Sequence, residues 1–126
     1  MATHDDIRRI ASQLPGAVEG FGRFGFSVMN KGKAKGFVWT WLERIHPKKG
    51  RVPNESVLAF SVRNLTEKEI ILGSDSEKFF TEPHYNGYPA VLVRLAAIDA
   101  EELEPLVIEA WRCKAPPELV RQYDGD

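Results

Sequence analysis

Residues 78–95, Lys78-Phe-Phe-Thr-Glu-Pro-His-Tyr-Asn-Gly-Tyr-Pro-Ala-Val-Leu-Val-Arg-Leu95, decide how the rest of the chain is read. Pro83, Asn86-Gly87 and Pro89 crowd one short segment. Asn-Gly favours positive φ, and each proline fixes its own φ and pushes the preceding residue extended, so the segment is a turn. The aromatic pair Phe79-Phe80 precedes it. Ala90–Leu95 follows, aliphatic and β-branched enough for an interior strand, read here as the central strand of a small sheet.

The preceding segments supply the rest of that sheet. From Phe24 the apolar period is two, with Phe24, Phe26 and Val28 alternating with Gly25, Ser27 and Met29. Asn30–Lys35 reads as a basic turn. Gly36–Arg44 is the next strand, with Phe37, Trp39 and Trp41 on one face and Val38, Thr40 and Leu42 on the other. A second basic loop, His46–Asn54, contains Pro47, Gly50 and Pro53, and Ser56–Arg63 alternates again. Short turns between three such strands favour an antiparallel meander.

Helical spacing frames the strands. Ile7, Ile10, Ala11 and Leu14 share one face of a helix over Thr3–Leu14, with Thr3 as N-cap and Leu14-Pro15-Gly16 as its stop. Thr66 and Glu69 read as a capping box opening a short helix that Gly73 ends. Leu103, Leu106, Val107, Ala110 and Trp111 repeat at helical spacing. Pro105 should start that helix near Glu102 or bend it. Pro117 suits the first position of a terminal helix reaching Tyr123. The expected architecture is α+β: two layers, an antiparallel sheet of four to five strands with helices on one face, in the order α-βββ-α-β(β)-α-α. Residues 1–126 form a single domain.

Composition narrows the function. A hydrophobic fraction of 43% with 28% charged residues is ordinary globular composition. The single cysteine, Cys113, rules out an internal disulfide framework and fits a reducing compartment. The N-terminus lacks the basic-then-apolar run of a signal peptide, and no apolar run is long enough to span a bilayer, so a cytoplasmic protein is expected. Net charge is −1, but residues 31–51 hold seven Lys/Arg against Glu43 alone, while the remainder carries −7. That asymmetry is the most informative functional signal.

Leu14-Pro15-Gly16, the Lys31-Gly-Lys33 turn before an aromatic strand, Phe79-Phe80, Pro83–Tyr88 and Val91–Leu95 together resemble the MmcQ/YjbR family. The helix ending in Trp111 and the following Ala115-Pro116 extend the resemblance over nearly the whole chain. It implies an α+β fold similar to secretion-chaperone-like domains, and a provisional DNA-binding role from a double-wing shape. It supplies no catalytic residues. His46–Arg51 is longer and more charged than the family pattern.

Two basic loops at either end of the Gly36–Arg44 strand, roughly 30 Å apart, suit two wings contacting phosphates. The candidate nucleic-acid-binding residues are Lys31, Lys33, Lys35, Arg44, Lys48, Lys49 and Arg51. Lysine-rich hairpin turns also arise for solubility and edge protection. Trp39, Trp41 and Phe37 are expected in the core, which removes base stacking from the DNA-binding picture. Glu82 and His84 lack a nucleophile or a second carboxylate at a defined spacing, so no catalytic residue is assigned. Whether a small ligand sits near His84, Tyr85 and Tyr88 is left open by the sequence. His4, His46 and His84 are too dispersed for a metal, and no cofactor is called. The alternative to DNA is a protein-binding or homodimeric module using the mixed outer sheet face (Ser27, Met29, Val38, Thr40, Leu42, Ala59, Ser61, Arg63, Leu92, Arg94).

Overall fold

The computed structural model describes residues 1–125. Helix α1 is His4–Ala11. Thr3 caps it as expected: its hydroxyl accepts from Asp6 N while Asp6 Oδ2 accepts from Thr3 N at 2.9 Å. Ser12–Leu14 leave the helix as turns. Then follow β1 (Ala17–Glu19), β2 (Gly25–Asn30), β3 (Lys33–Glu43), β4 (Val52–Ser61) and α2 (Leu65–Ser74). The chain closes with β5 (Phe79–Phe80), β6 (Ala90–Arg94), α3 (Ala100–Lys114) and α4 (Pro117–Asp124). The six strands form one sheet in the order β1-β2-β3-β4-β6-β5, every pair antiparallel. The α+β class holds, and β1 is the strand beyond the expected number.

The boundaries shift for identifiable reasons. Asn64, not Thr66, caps α2, its side chain accepting from Glu67 N at 2.8 Å. The helix therefore starts earlier than expected, and it runs through Gly73 to Ser74. Asp99 and Glu102 build a capping box that nucleates α3 ahead of Pro105, and the exposed Pro105 ring is accommodated inside the helix. Pro117 does open α4. Strand β4 starts at Val52, because Val52, Pro53 and Asn54 pair with Glu43, Leu42 and Trp41. Pro53 is tolerated because β6 reaches only as far as Val57, so Pro53 has a strand neighbour on one side alone.

Strand β6 is interior, as expected, but the middle of the sheet is the β3–β4 pair. Ala90, Val91, Leu92 and Val93 are all buried. Cross-strand neighbours share a face, and two rows run across the sheet. One is Phe26–Val38–Phe60–Val91, which packs under α1 and α3 against Ile7, Ile10, Leu103, Val107 and Trp111. Trp111 is fully buried, and its Nε1 donates to Pro15 O at 3.0 Å. The other row is Trp39–Ala59–Leu92–Phe80, on the face away from the helices.

The tryptophans are therefore placed differently from the period-two expectation. Phe26 pairs with Val38 and Ser27 with Gly36, so Phe37 bulges without a partner on β2. A bulge lets two successive side chains turn the same way, and Phe37 and Val38 both enter the main core. Phase then reverses, sending Trp39 and Trp41 to the outer face with Val57, Ala59 and Leu92. Val38 and Thr40, expected outside, are buried instead. Ser27, Met29, Ala59 and Leu92 keep their expected outer side by register with this row.

Edge strand β1 is joined to α1 by Arg8, whose Nε and Nη2 donate to the two Glu19 oxygens at 2.9 and 3.0 Å. The Arg8 hydrogen bonds hold the Glu19 carboxyl below its ordinary value of 4.5. With the folded pKa depressed, the pair's contribution to stability is present above about pH 4.5 and lost as pH falls through the folded value. Urea unfolding from neutral to about pH 2 should therefore show the difference between wild type and Arg8→Ala shrinking on acidification. A difference independent of pH would assign Arg8 a packing role alone.

Candidate nucleic-acid interface and aromatic face

The β2–β3 connection is only Lys31-Gly32, with φ of 55° and 78°, the two left-handed residues of a tight hairpin turn. Lys33 and Lys35, expected in the turn, belong to β3, opposite Asn30 and Val28. They stand on the helix-bearing side, where Asn30 Nδ2 donates to Lys114 O at 2.8 Å. The end of α3 thus brings Lys114 to this cluster, a neighbour that the sequence did not flag.

The second cluster lies at the other end of β3. Arg44 Nη1 donates to Lys49 O at 2.9 Å, and Lys48 N donates to His46 Nδ1 at 3.2 Å, so this loop closes on itself. Arg51 has a different task. Its Nη1 donates to Leu42 O at 2.8 Å and to Glu82 Oε1 at 2.9 Å, in a pair that is only a quarter exposed or less. Among the described residues Lys31, Lys33, Lys35, Arg44, Lys48 and Lys49 pair with no carboxylate. Elsewhere Arg8, Arg9, Arg63, Lys78 and Arg112 are held by the chain's own acids, while Arg23, Lys68, Arg94, Lys114 and Arg121 pair with none among the described residues. The unpaired cations are thus densest in residues 31–51.

On the outer face, residues 82–88 fold down over the aromatic row. Pro83–Tyr85 make one 3₁₀ turn, and Tyr85–Tyr88 a second turn in which only Gly87 takes positive φ. Both ends of the segment are fastened. Arg51 holds Glu82, and Lys68 Nζ donates to Tyr85 O at 2.6 Å and Tyr88 O at 2.8 Å. Lys68 is 5% exposed and has no carboxylate partner, and burial pushes its ammonium pKa down. Sequence reasoning missed it, because the Thr-Glu-Lys-Glu run looks like the solvated first turn of a helix.

The fastened segment places Tyr85 on Trp39, whose Nε1 donates to the Tyr85 hydroxyl at 3.0 Å. Tyr88 meets Trp39 edge-on at 6.5 Å, and Phe80 meets Trp41 edge-on at 5.3 Å. Arg94 lies over the Phe80 ring at 3.9 Å. Below Trp39 the floor is Gly25, where a β-carbon would come within 2.8 Å of Val38 O. His84 is exposed and touches Tyr85 edge-on, while Glu82 is engaged with Arg51, so the two are not joined as an acid–base pair. No helix among the described residues is long and apolar enough to cross a membrane.

A one-sided antiparallel sheet with a cationic hairpin, a cationic loop and a capped aromatic face defines the class: an α+β domain. No family model matches the chain. The uncharacterised proteins Rv2570 of Mycobacterium tuberculosis and Mb2600 of Mycobacterium bovis are each 33% identical to it over 132 residues. Those alignments cover 98% of this chain and 96% of each relative. The chain belongs to the family of these mycobacterial proteins. A crystal structure of DR2400 from Deinococcus radiodurans, with a DUF419 domain, superposes with a TM-score of 0.66 at 19% identity. It covers 98% of this chain and 89% of that one, and it shows the same fold.

Replacing Lys68 by methionine should cost about 1–3 kcal/mol, since two carbonyls lose a buried charged donor. The same change should speed proteolysis within residues 82–88. Urea unfolding and limited digestion read both effects; an unchanged midpoint with unchanged digestion would remove Lys68 from the role of anchor.

Proposed function

We propose that this chain is a non-enzymatic DNA-binding domain of the MmcQ/YjbR type, using the cations at the two ends of β3. The family assignment is supported by the residues that resemble that family and by the shared fold of the DUF419 domain. The observation that carries the binding proposal is the charge inventory: among the described residues, six of the seven cations in residues 31–51 pair with no acid. Counterion release rewards such groups for meeting phosphate, whereas a cation already paired must first break its own contact.

Strand β3 is 11 residues long. It sets the two clusters roughly 30 Å apart, close to one helical turn of B-form DNA, about 34 Å. Lys31, Lys33 and Lys35 would take phosphates at one end, and Arg44, Lys48 and Lys49 at the other. Arg51 remains with Glu82. Backbone contacts of this kind fix position without reading sequence.

Fluorescence anisotropy with a labelled duplex should show affinity falling with salt at a log–log slope near −4.5 if about five side chains neutralise phosphates. Combining Lys33→Glu with Lys48→Glu should abolish binding. Unchanged affinity in that double variant would refute the assignment.

A second reading is favoured by the β1–β2 edge, where Val18, Phe21 and Met29 are exposed. Such an apolar margin suits pairing with a second copy or a protein partner. Light scattering across a concentration series should then show a dimer that Met29→Lys dissociates. A monomer at every concentration would dismiss the self-pairing.

A further inference from the structure

A cavity of about 260 Å³ opens on the outer face where β2, β3 and the 82–88 segment meet. Its flat apolar lining is the rings of Trp39 and Tyr85, with Leu42 beside them; Phe24 borders it too, but its ring stacks on His4 at 4.0 Å on the helix side. Its polar groups are Arg23, Arg51, His84, the Tyr85 hydroxyl and the Thr40 hydroxyl, which already donates to Phe24 O at 2.7 Å. No lining residue is acidic, though Glu82 pairs with Arg51 from outside the lining. We propose that this cavity binds a small, flat organic anion, by class an aromatic carboxylate. The proposal stands independently of DNA binding, because none of the free lysines lines the cavity.

The donors remain open in the folded protein. Arg51 is charge-balanced by Glu82, but its bonds to Leu42 O and Glu82 run through Nη1 alone, so its Nε and Nη2 N–H groups remain as hydrogen-bond donors while Arg23 supplies the uncompensated charge. Arg23 is exposed and pairs with no carboxylate among the described residues. The Tyr85 hydroxyl accepts from Trp39 Nε1 and so keeps its own proton to donate. A carboxylate offers only acceptors, which is the complement of this set, and a fork of guanidinium N–H groups matches its planar geometry.

Size and shape limit the ligand. The volume falls below the roughly 300–1,000 Å³ of drug-sized pockets, which restricts the occupant to one or two rings. Trp39 is held by Tyr85, and Tyr85 by Lys68, so the walls are set before a ligand arrives. The larger groove of about 680 Å³ between α1, α3 and α4 is different in kind. It mixes Arg9 with Glu104, and Arg9 is already near Asp6. It therefore favours neither sign of charge.

The test follows the indole N–H resonance of Trp39, assigned by its loss in Trp39→Phe, with three probes that share one ring system. 2-Naphthoate should shift that resonance saturably. 2-Naphthamide should bind about tenfold more weakly, the usual margin for losing a charge-assisted bond, and 2-naphthylmethylamine should leave the resonance in place. Arg23→Ala, an exposed residue whose loss leaves the fold intact, should weaken naphthoate binding about tenfold. Tyr85→Phe, which keeps the ring, should also weaken it. Lys33→Glu combined with Lys48→Glu should leave it unchanged, which separates this site from the DNA-binding proposal. Equal binding of carboxylate and amide, an effect of the lysine variant without one of Arg23→Ala, or no saturable shift at millimolar probe would each overturn the proposal.

Discussion

The unpaired Phe37 in β3 is the irregularity on which both faces of this sheet depend. Without it, strict alternation would send Phe37, Trp39 and Trp41 to one side. With it, Phe37 and Val38 fill the space beneath α1 and α3, and both tryptophans cross to the far side. The main core gains two adjacent large side chains from a single strand. The outer face gains an aromatic surface too apolar to be left bare, and Trp41 lies there 9% exposed with its Nε1 buried and unpartnered.

The segment after β5 answers that demand. Residues 82–88 drape over the tryptophans, and the means of holding them down are ionic rather than apolar. Arg51 reaches from the start of β4 to Glu82, and Lys68 reaches from α2 to two carbonyls. Burying an ammonium without a carboxylate is costly, and backbone oxygens offset only part of the desolvation. The arrangement gives a rigid wall beside Trp39 where a simple apolar flap would slide. Charge is thus used twice in this molecule: inward, where cations tie segments together, and outward at the two ends of β3, where they are left available.

What the sequence made legible follows from local physics. Thr3 as a cap, Pro117 as a helix start and the buried run of β6 each rest on residues within a few positions of one another. The α+β class emerged from the same periodicities. The features the sequence does not reveal depend on partners far along the chain. β1 is three residues long, too short to display alternation, and it exists because Ala17 and Glu19 find Val28 and Phe26. The bulge at Phe37 leaves no compositional trace, so alternation alone puts the tryptophans on the wrong face. Lysine's weak strand preference suggests a turn for Lys33 and Lys35, whereas the two-residue turn at Lys31-Gly32 fixes their register in β3. Lys68 is hidden in a charged helix start, and Arg51 reads as one more phosphate-binding cation of the second basic loop. Only the fold shows that one lies under a loop and the other against Glu82.

The two margins of the sheet have a consequence for the life of the protein in a crowded solution. Inner strands β3 and β4 are long and rich in aromatic and branched residues, the kind of segment that seeds fibrils when exposed. They are flanked by β2 and β6, and the outermost strands beyond those are only three and two residues long, so the margins of the sheet offer short ladders to another chain. Fibrillation would therefore have to begin with the peeling away of a border strand, and the Arg8–Glu19 clasp that secures β1 is also a guard against polymerisation.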